Sequence, residues 1–201
     1  MSGEPTRDRS NESSKDRRRR LLDAVLSVLA AKGIAGVSMR AVAREAGVAL
    51  GLVHYYFDDK TSLIAAALRE IEEQDLRIVE PVSALSAERR LRAALRRVAD
   101  PEFLTTEYLS LRMQLWALAQ VNEEFAEINA TAQARYREGL SALIRAACPG
   151  LTRNQCHRRA ADIDVIQNGV WVTALLGLDQ ASIRRSVART EAIALAGPSP
   201  E

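Results

Sequence analysis

Residues 38–57 read SMRAVAREAGVALGLVHYYF, and the reading of this stretch decides the rest of the chain. It divides into two short helices. The first, over residues 39–46, sets apolar Ala41, Val42 and Ala46 against charged Arg40, Arg44 and Glu45. Gly47 follows, and a glycine lets the chain reverse in a left-handed conformation because no Cβ clashes there. The second helix, over residues 49–56, can turn Val53 inward, with Val48 before it and Phe57 after it. Leu50, Gly51, Leu52, His54 and Tyr55 are left nearer the outside. Helix, glycine turn and helix in so short a span match a helix-turn-helix unit, whose second helix can lie in a DNA major groove. A compact helical hairpin of any function could show the same pattern, so the flanks have to decide.

Upstream, Arg17, Arg18, Arg19 and Arg20 form a basic cluster directly before a helical pattern with Leu22, Val25, Leu26 and Leu29 on one stripe. Lys32 and Gly33 read as its end. As a solvated helix start, four cations at the positive end of a helix dipole are mildly unfavourable. As a functional feature, they reach DNA phosphates or a minor groove together with the polar residues 1–16, which read as a disordered arm. Downstream, Asp59 can cap a helix starting at Lys60, with Leu63, Ile64, Ala67, Leu68 and Ile71 on its buried face, continuing to Val79 before Pro81 stops it. Residues 17–60 therefore read as a three-helix DNA-binding head.

Composition narrows the alternatives. At 201 residues, 47% apolar and 27% charged, the chain can bury a substantial core as one or two globular domains. Few Gly and Pro and no long strand-like alternation predict an all-α fold of about nine helices. A net charge of +2 is too small to argue for nucleic acid globally, so position must carry that case. No run approaches the roughly 18 apolar residues that a membrane span needs. The polar N-terminus lacks a secretory core, so a cytoplasmic protein is expected. Cys148 and Cys156 are the only cysteines; free thiols are expected, since a zinc site would need more ligands than nearby His157 adds.

Residues 61–196 read as a larger helical domain, with a frayed tail over 197–201. Ser86 can cap a helix over residues 88–99, and Asp100-Pro101-Glu102 reads as the start of one continuous helix to Gln120. Asn122 caps the next helix, Thr152 and Gln155 form a capping box for another, and Asp179 caps the last. Tyr108, Arg112, Trp116, Gln167, Asn168 and Trp171 mix polarity with aromatic bulk, as small-molecule pockets do. Both tryptophans could equally be ordinary core residues.

The run Ala41-Val42-Ala43-Arg44-Glu45-Ala46-Gly47-Val48, followed by Gly51, His54-Tyr55-Tyr56-Phe57 and Lys60, resembles the TetR family of bacterial transcriptional repressors. Both glycines, the aromatic cluster and the lysine stand at the family spacing, and the likeness covers residues 17–79. Two departures stand out: Ala49 replaces the usual Ser or Thr cap, which weakens the helix start by about 0.5–2 kcal/mol, and His54 stands where Tyr is common. The resemblance implies that Arg17, Arg18, Arg40, Ala49, Leu50, Gly51, His54, Tyr55, Tyr56 and Lys60 form the DNA surface. Arg40 could reach a phosphate or base edge, Ala49 and Leu50 could touch thymine methyls, and His54, Tyr55, Tyr56 and Lys60 would hold phosphates. For Tyr56, burial against the first helix is the alternative.

The resemblance also implies a C-terminal ligand pocket and a homodimer formed through the last two helices, with Ile163, Ile166, Val170, Ala174, Ile183 and Val187 as its apolar surplus. DIDVIQNGVWVTALLG, residues 162–177, is similar to the choline-responsive repressor subgroup, which does not make choline the ligand here. The function expected is a dimeric repressor released from a pseudopalindromic DNA operator by an unidentified small-molecule effector. It would have no cofactor, no metal and no catalytic residues. A constitutive DNA-binding dimer is the alternative. An enzyme is a weak third, because only His54 and His157 are available and no nucleophile sits in a known motif.

Overall fold

A computed structural model of the chain describes residues 13–177 and 179–197. Of the arm expected over residues 1–16, residues 1–12 lie outside them, while Ser13 caps α1 and residues 14–16 belong to its first turn; residues 198–201 of the expected tail also lie outside. Among the described residues there are nine α-helices, two 3-10 turns and no strand, so the fold is all-α. The helices are α1 (Ser14–Gly36), α2 (Met39–Ala46), α3 (Leu50–Tyr56), α4 (Lys60–Leu76), α5 (Ala87–Arg97), α6 (Thr106–Ala119), α7 (Glu123–Ala147), α8 (Arg153–Leu175) and α9 (Gln180–Leu195). They fall into two compact units divided within α4, the first ending at Ala67 and the second beginning at Leu68.

In the first unit α1 packs on α2, and α2 on α3. The helix α1 begins before the arginine cluster instead of at it. Ser13 and Asp16 form a capping box that satisfies the first-turn amides, which a reading based on apolar periodicity overlooks. Gly33 (φ 64°, ψ −174°) breaks the helical geometry where a cap was expected, yet the helix resumes to Gly36. Ser38 Oγ accepts from the Ala41 amide and starts α2, and Gly47 ends it in the left-handed region (φ 65°, ψ 37°). At the start of α3, Ala49 accepts no side-chain capping bond, as its methyl dictates. Leu21, Leu29, Val42, Val53 and Phe57 are buried, while Val48, expected in the core, is only half-buried.

In the second unit α7, α8 and α9 pack in succession, with α5 against α7 and α9 and α6 against α7 and α8. Leu68, Ile78, Leu91, Leu95, Leu109, Leu115, Leu140, Ile144 and Ile163 are fully buried in it. Asn122, the Thr152–Gln155 box and Asp179 cap their helices as the sequence predicts. The helix expected from Pro101 to Gln120 is interrupted. Pro101–Phe103 is a separate 3-10 turn, and α6 starts at Thr106, because Thr105 Oγ1 accepts from the Tyr108 amide. The end of α4 likewise tightens into a 3-10 turn, Arg77–Val79, before Pro81. Arg97 Nη1 donates to the carbonyls of Arg77, Ile78 and Glu80 and closes that turn.

The apolar surplus of the last helices divides, with Ile166, Ala174 and Val187 half-buried. Ile163, Val170 and Ile183 are buried inside the unit itself, so they cannot form an outer contact. The uncovered stripe on α8 is instead Val165 (71% exposed), Gly169, Val172 and Leu176 (80% exposed), which recur at helical spacing on one face.

Candidate DNA-reading surface and ligand cavity

Helix α3 has two faces. Val53 is fully buried, while Gly51, His54 and Tyr55 are exposed, Tyr55 at 78%. Leu50 is half-buried beside them, and Ala49 is exposed at the cap. A Cβ added at Gly51 would meet nothing within 4 Å, so packing within the chain does not demand a glycine there. The open space is what close approach of a second backbone would use. Arg40 is exposed on α2, Lys60 is exposed at the start of α4, and Arg18 is exposed with Arg17 half-buried on α1. Asp59 and Ser62 form a reciprocal cap under Lys60.

Tyr56 behaves differently from its neighbours. It is half-buried, its ring meets Tyr55 edge-on at 5.0 Å, and its hydroxyl bonds to Ser14 Oγ at 3.0 Å and donates to the Ser14 carbonyl at 3.2 Å. It braces α3 against the start of α1. With Ser27 Oγ donating to Glu45 at 2.6 Å, it ties the three helices of the head by polar contacts as well as by the core.

The second unit holds a small cavity among α4, α6, α7 and α8, lined by Glu72, Asp75, Arg112, Tyr136, Asp164 and Gln167 together with Asn168 and Trp171. The space open to the centre of a water molecule is about 20 Å³, room for one or two waters. Of the six residues expected at a pocket, Arg112, Gln167, Asn168 and Trp171 line it; Tyr108 and Trp116 do not. Tyr108 is buried behind it and donates its O–H to Asp75. Trp116 lies beneath Arg112, whose Cζ is 4.7 Å from the centre of that ring and 4.9 Å from that of Trp171. Trp171 is fixed further by Nε1 donating to the Val98 carbonyl at 3.0 Å and by stacking on Phe103 at 6.3 Å.

The electrostatics follow from burial. Glu72 and Asp164 are pushed above the ordinary carboxylate range by desolvation, which the arginines Arg112 and Arg137, respectively, partly offset. The guanidinium of Arg112 is lowered by the same burial and held up by Glu72. Tyr108 and Tyr136 are raised well above their usual value, chiefly by burial, and stay neutral hydrogen-bonding groups. Sequence reading missed Glu72, Asp75, Tyr136 and Asp164. A signal was there: Glu72 and Asp75 interrupt the apolar run Leu68, Ile71, Leu76 on the buried side of α4, and a carboxylate on such a face has to be compensated from elsewhere.

Comparison with known proteins adds the relatives. Residues 21–75 match the family model for bacterial regulatory proteins of the tetR family, and residues 87–195 match the one for the BetI-type transcriptional repressor C-terminal domain. The HTH-type transcriptional regulator BetI of Escherichia coli O17:K52:H18 (strain UMN026 / ExPEC) is 31% identical over 166 residues, spanning 80% of this chain and 83% of that protein. The protein of the same name from Rhizobium meliloti (strain 1021) is 29% identical over 177 residues, covering 87% and 86%. In fold, the chain is similar to a putative transcriptional regulator from Pseudomonas aeruginosa PAO1, with a TM-score of 0.78 at 23% identity over 92% of this chain and 91% of that one.

Proposed function

Since this chain belongs to the TetR family of bacterial transcriptional regulators and carries a BetI-type C-terminal domain, we propose that it represses transcription as a cytoplasmic homodimer, released from its operator by a small molecule that enters the Glu72–Arg112–Gln167 cavity. The chain is a DNA-binding regulator, and the single observation that carries the proposed reading surface is the division of α3: Val53 at 0% exposure against Tyr55 at 78%. Arg40, Leu50, Gly51, His54, Tyr55 and Lys60 present charge, apolar edge and open backbone, as major-groove readers do. Arg17 and Arg18 add phosphate contacts, and Tyr56 acts through its brace to Ser14. Two copies would read half-sites of a pseudopalindrome about 34–36 Å apart or at a related spacing. The α8 stripe Val165, Gly169, Val172 and Leu176 supports a two-helix contact with its counterpart, together with α9. No catalytic step belongs to this reading.

Glu72 and Asp75 stand on α4, whose first residues belong to the DNA-binding unit. A ligand with unequal affinity for two positions of α4 would therefore bias the head between DNA-competent and incompetent forms. Operator titrations test the reading surface. His54→Ala and Tyr55→Ala should each weaken operator binding while leaving thermal stability nearly unchanged, since neither side chain is buried. Unchanged operator affinity in both variants would sink the assignment. For the dimer, Val165→Glu with Leu176→Glu should halve the mass seen by sedimentation.

A further inference from the structure

The first turns of α1 stand apart from the core of the head. The first buried side chain of that helix is Leu21, while Ser14, Lys15, Asp16 and Arg18 are exposed and Arg17 is half-buried. Apolar packing therefore does not hold residues 14–18 in place. Helix ends with few buried contacts fray readily, and a cap satisfies amides without fixing where the helix points. The cap here is local: Ser13 Oγ accepts from the Asp16 amide at 3.2 Å and donates to Asp16 Oδ2 at 2.7 Å. Nothing in that box reaches another helix.

A tie to another helix comes from Tyr56, at the end of α3. Its O–H donates to the Ser14 carbonyl at 3.2 Å, and Ser14 Oγ, 3.0 Å from the same oxygen, can donate to it in return. A hydroxyl has one proton and two lone pairs, so the two bonds are compatible. Contact with both the backbone and the side chain of one residue fixes its place and its rotation. Exposed hydrogen bonds contribute little net stability, because water replaces them when they break. Orientation is what this one supplies.

The residues on either side of the tie give that orientation a use. Arg18 stands four residues after Ser14, on the same face of α1. It is exposed and has no ion-pair partner among the described residues, whereas Arg19 is engaged by Asp23 at 3.1 Å. On the α3 side, the Tyr56 ring meets Tyr55 edge-on at 5.0 Å, and Tyr55 is 78% exposed. Arg18 beside Ser14, Ser14 bonded to Tyr56 and Tyr56 against Tyr55 thus link a cation of α1 to the outer face of α3.

We propose that Ser14 is a positioning residue for DNA binding, holding Arg18 over a phosphate beside the groove that α3 enters. This rests on the reading of α3 as the DNA-reading helix and adds to it a residue that touches no DNA itself. When the tie is lost, the first turns of α1 fray, Arg18 sweeps a larger volume, and its phosphate contact costs more entropy to form. A guanidinium that neutralises a phosphate releases counterions, so the loss shows in the salt dependence of binding.

The test is a fluorescence-anisotropy titration of the full-length protein over a salt series, with a duplex that the same protein selects from random-sequence DNA. Each phosphate contact contributes about 0.9 to the slope of log affinity against log salt concentration. Ser14→Ala and Tyr56→Phe should each make that slope shallower by about 0.9 and weaken binding severalfold at low salt, with the melting temperature nearly unchanged. Ser14→Thr keeps the hydroxyl and should keep the slope. Arg18→Ala should lower the slope by the same amount, and adding Ser14→Ala or Tyr56→Phe to it should lower it no further. Weaker binding by Ser14→Ala with an unchanged slope would mean that the tie only stabilises the head, which overturns the proposal. Unchanged binding in both Ser14→Ala and Tyr56→Phe overturns it too. So do additive slope losses for Tyr56→Phe and Arg18→Ala, which would make Tyr56 a phosphate contact in its own right. Unchanged affinity of His54→Ala and Tyr55→Ala for the same duplex would instead remove the reading of α3, and the proposal with it.

Discussion

The exposed face of α3 and the cavity of the second unit use polar side chains in opposite ways. Around α3, Arg40, His54, Tyr55 and Lys60 are exposed to water, with Tyr55 resting edge-on against Tyr56. In the cavity, Glu72, Asp75 and Arg112 are each at most 5% exposed and are held by one another. A surface that meets a polyanion needs charges that remain hydrated until contact, because counterion release supplies much of the binding. A small-molecule site needs a charge already desolvated, so that the right ligand relieves a deficit that the wrong one leaves in place. Substitutions should therefore change affinity with little effect on stability at the first, and change stability and affinity together at the second.

Four measurements would break or sharpen that contrast. The largest effect is expected for Arg112→Ala, which strands Asp75 and Glu72 without their cation; unfolding by denaturant should show a loss of about 3–5 kcal/mol. A loss below 1 kcal/mol would mean that the cavity is no more integrated than the surface. Next, Gly47→Val forces a β-branched residue into φ 65° and should destabilise the head by about 1–2 kcal/mol, read as faster amide exchange in α2 and α3. Because a Cβ at Gly47 meets nothing within 4 Å, Gly47→Asn should lose far less.

The third is pH dependence. Glu72 titrates above its ordinary 4.5 in the folded state, so the folded chain holds that proton to higher pH than the unfolded one. Its contribution is fully present below 4.5 and is lost as pH rises through the folded value. The associated slope is at most about 1.4 kcal/mol per pH unit for one proton. Stability of Glu72→Gln measured across that window should show a shallower fall than the parent protein. The smallest effect is a gain. Ala49→Ser supplies the capping oxygen that α3 lacks and should stabilise the head by about 1 kcal/mol without altering the second unit.

Much of the head was legible because its determinants are local. Gly47 occupies the left-handed position that its neighbours in sequence require, Ser38 caps α2, and the alternation of Val53 with His54 and Tyr55 assigns the faces of α3. Where legibility failed, the cause was also specific. The reading from Pro101 took a proline for a helix start, when Thr105 four residues on supplied the bond that begins α6. Ile163, Val170 and Ile183 looked like surplus for a partner, because a sequence shows how apolar a helix is and not how many neighbours surround it.

By itself, then, the sequence determined the all-helical class, most of the caps, the reading helix and the family, since each depends on residues within a few positions of one another. Only the tertiary structure decided that Glu72 and Asp75 from α4 meet Arg112 from α6 and Asp164 and Gln167 from α8 around one cavity. It also decided that Tyr56 reaches back to Ser14, and that Val165, Val172 and Leu176 are left uncovered along α8 and its C-cap. The physical reason is the same in each case. A buried charge or an exposed leucine is defined by what lies across from it, and that neighbour comes from a distant part of the chain.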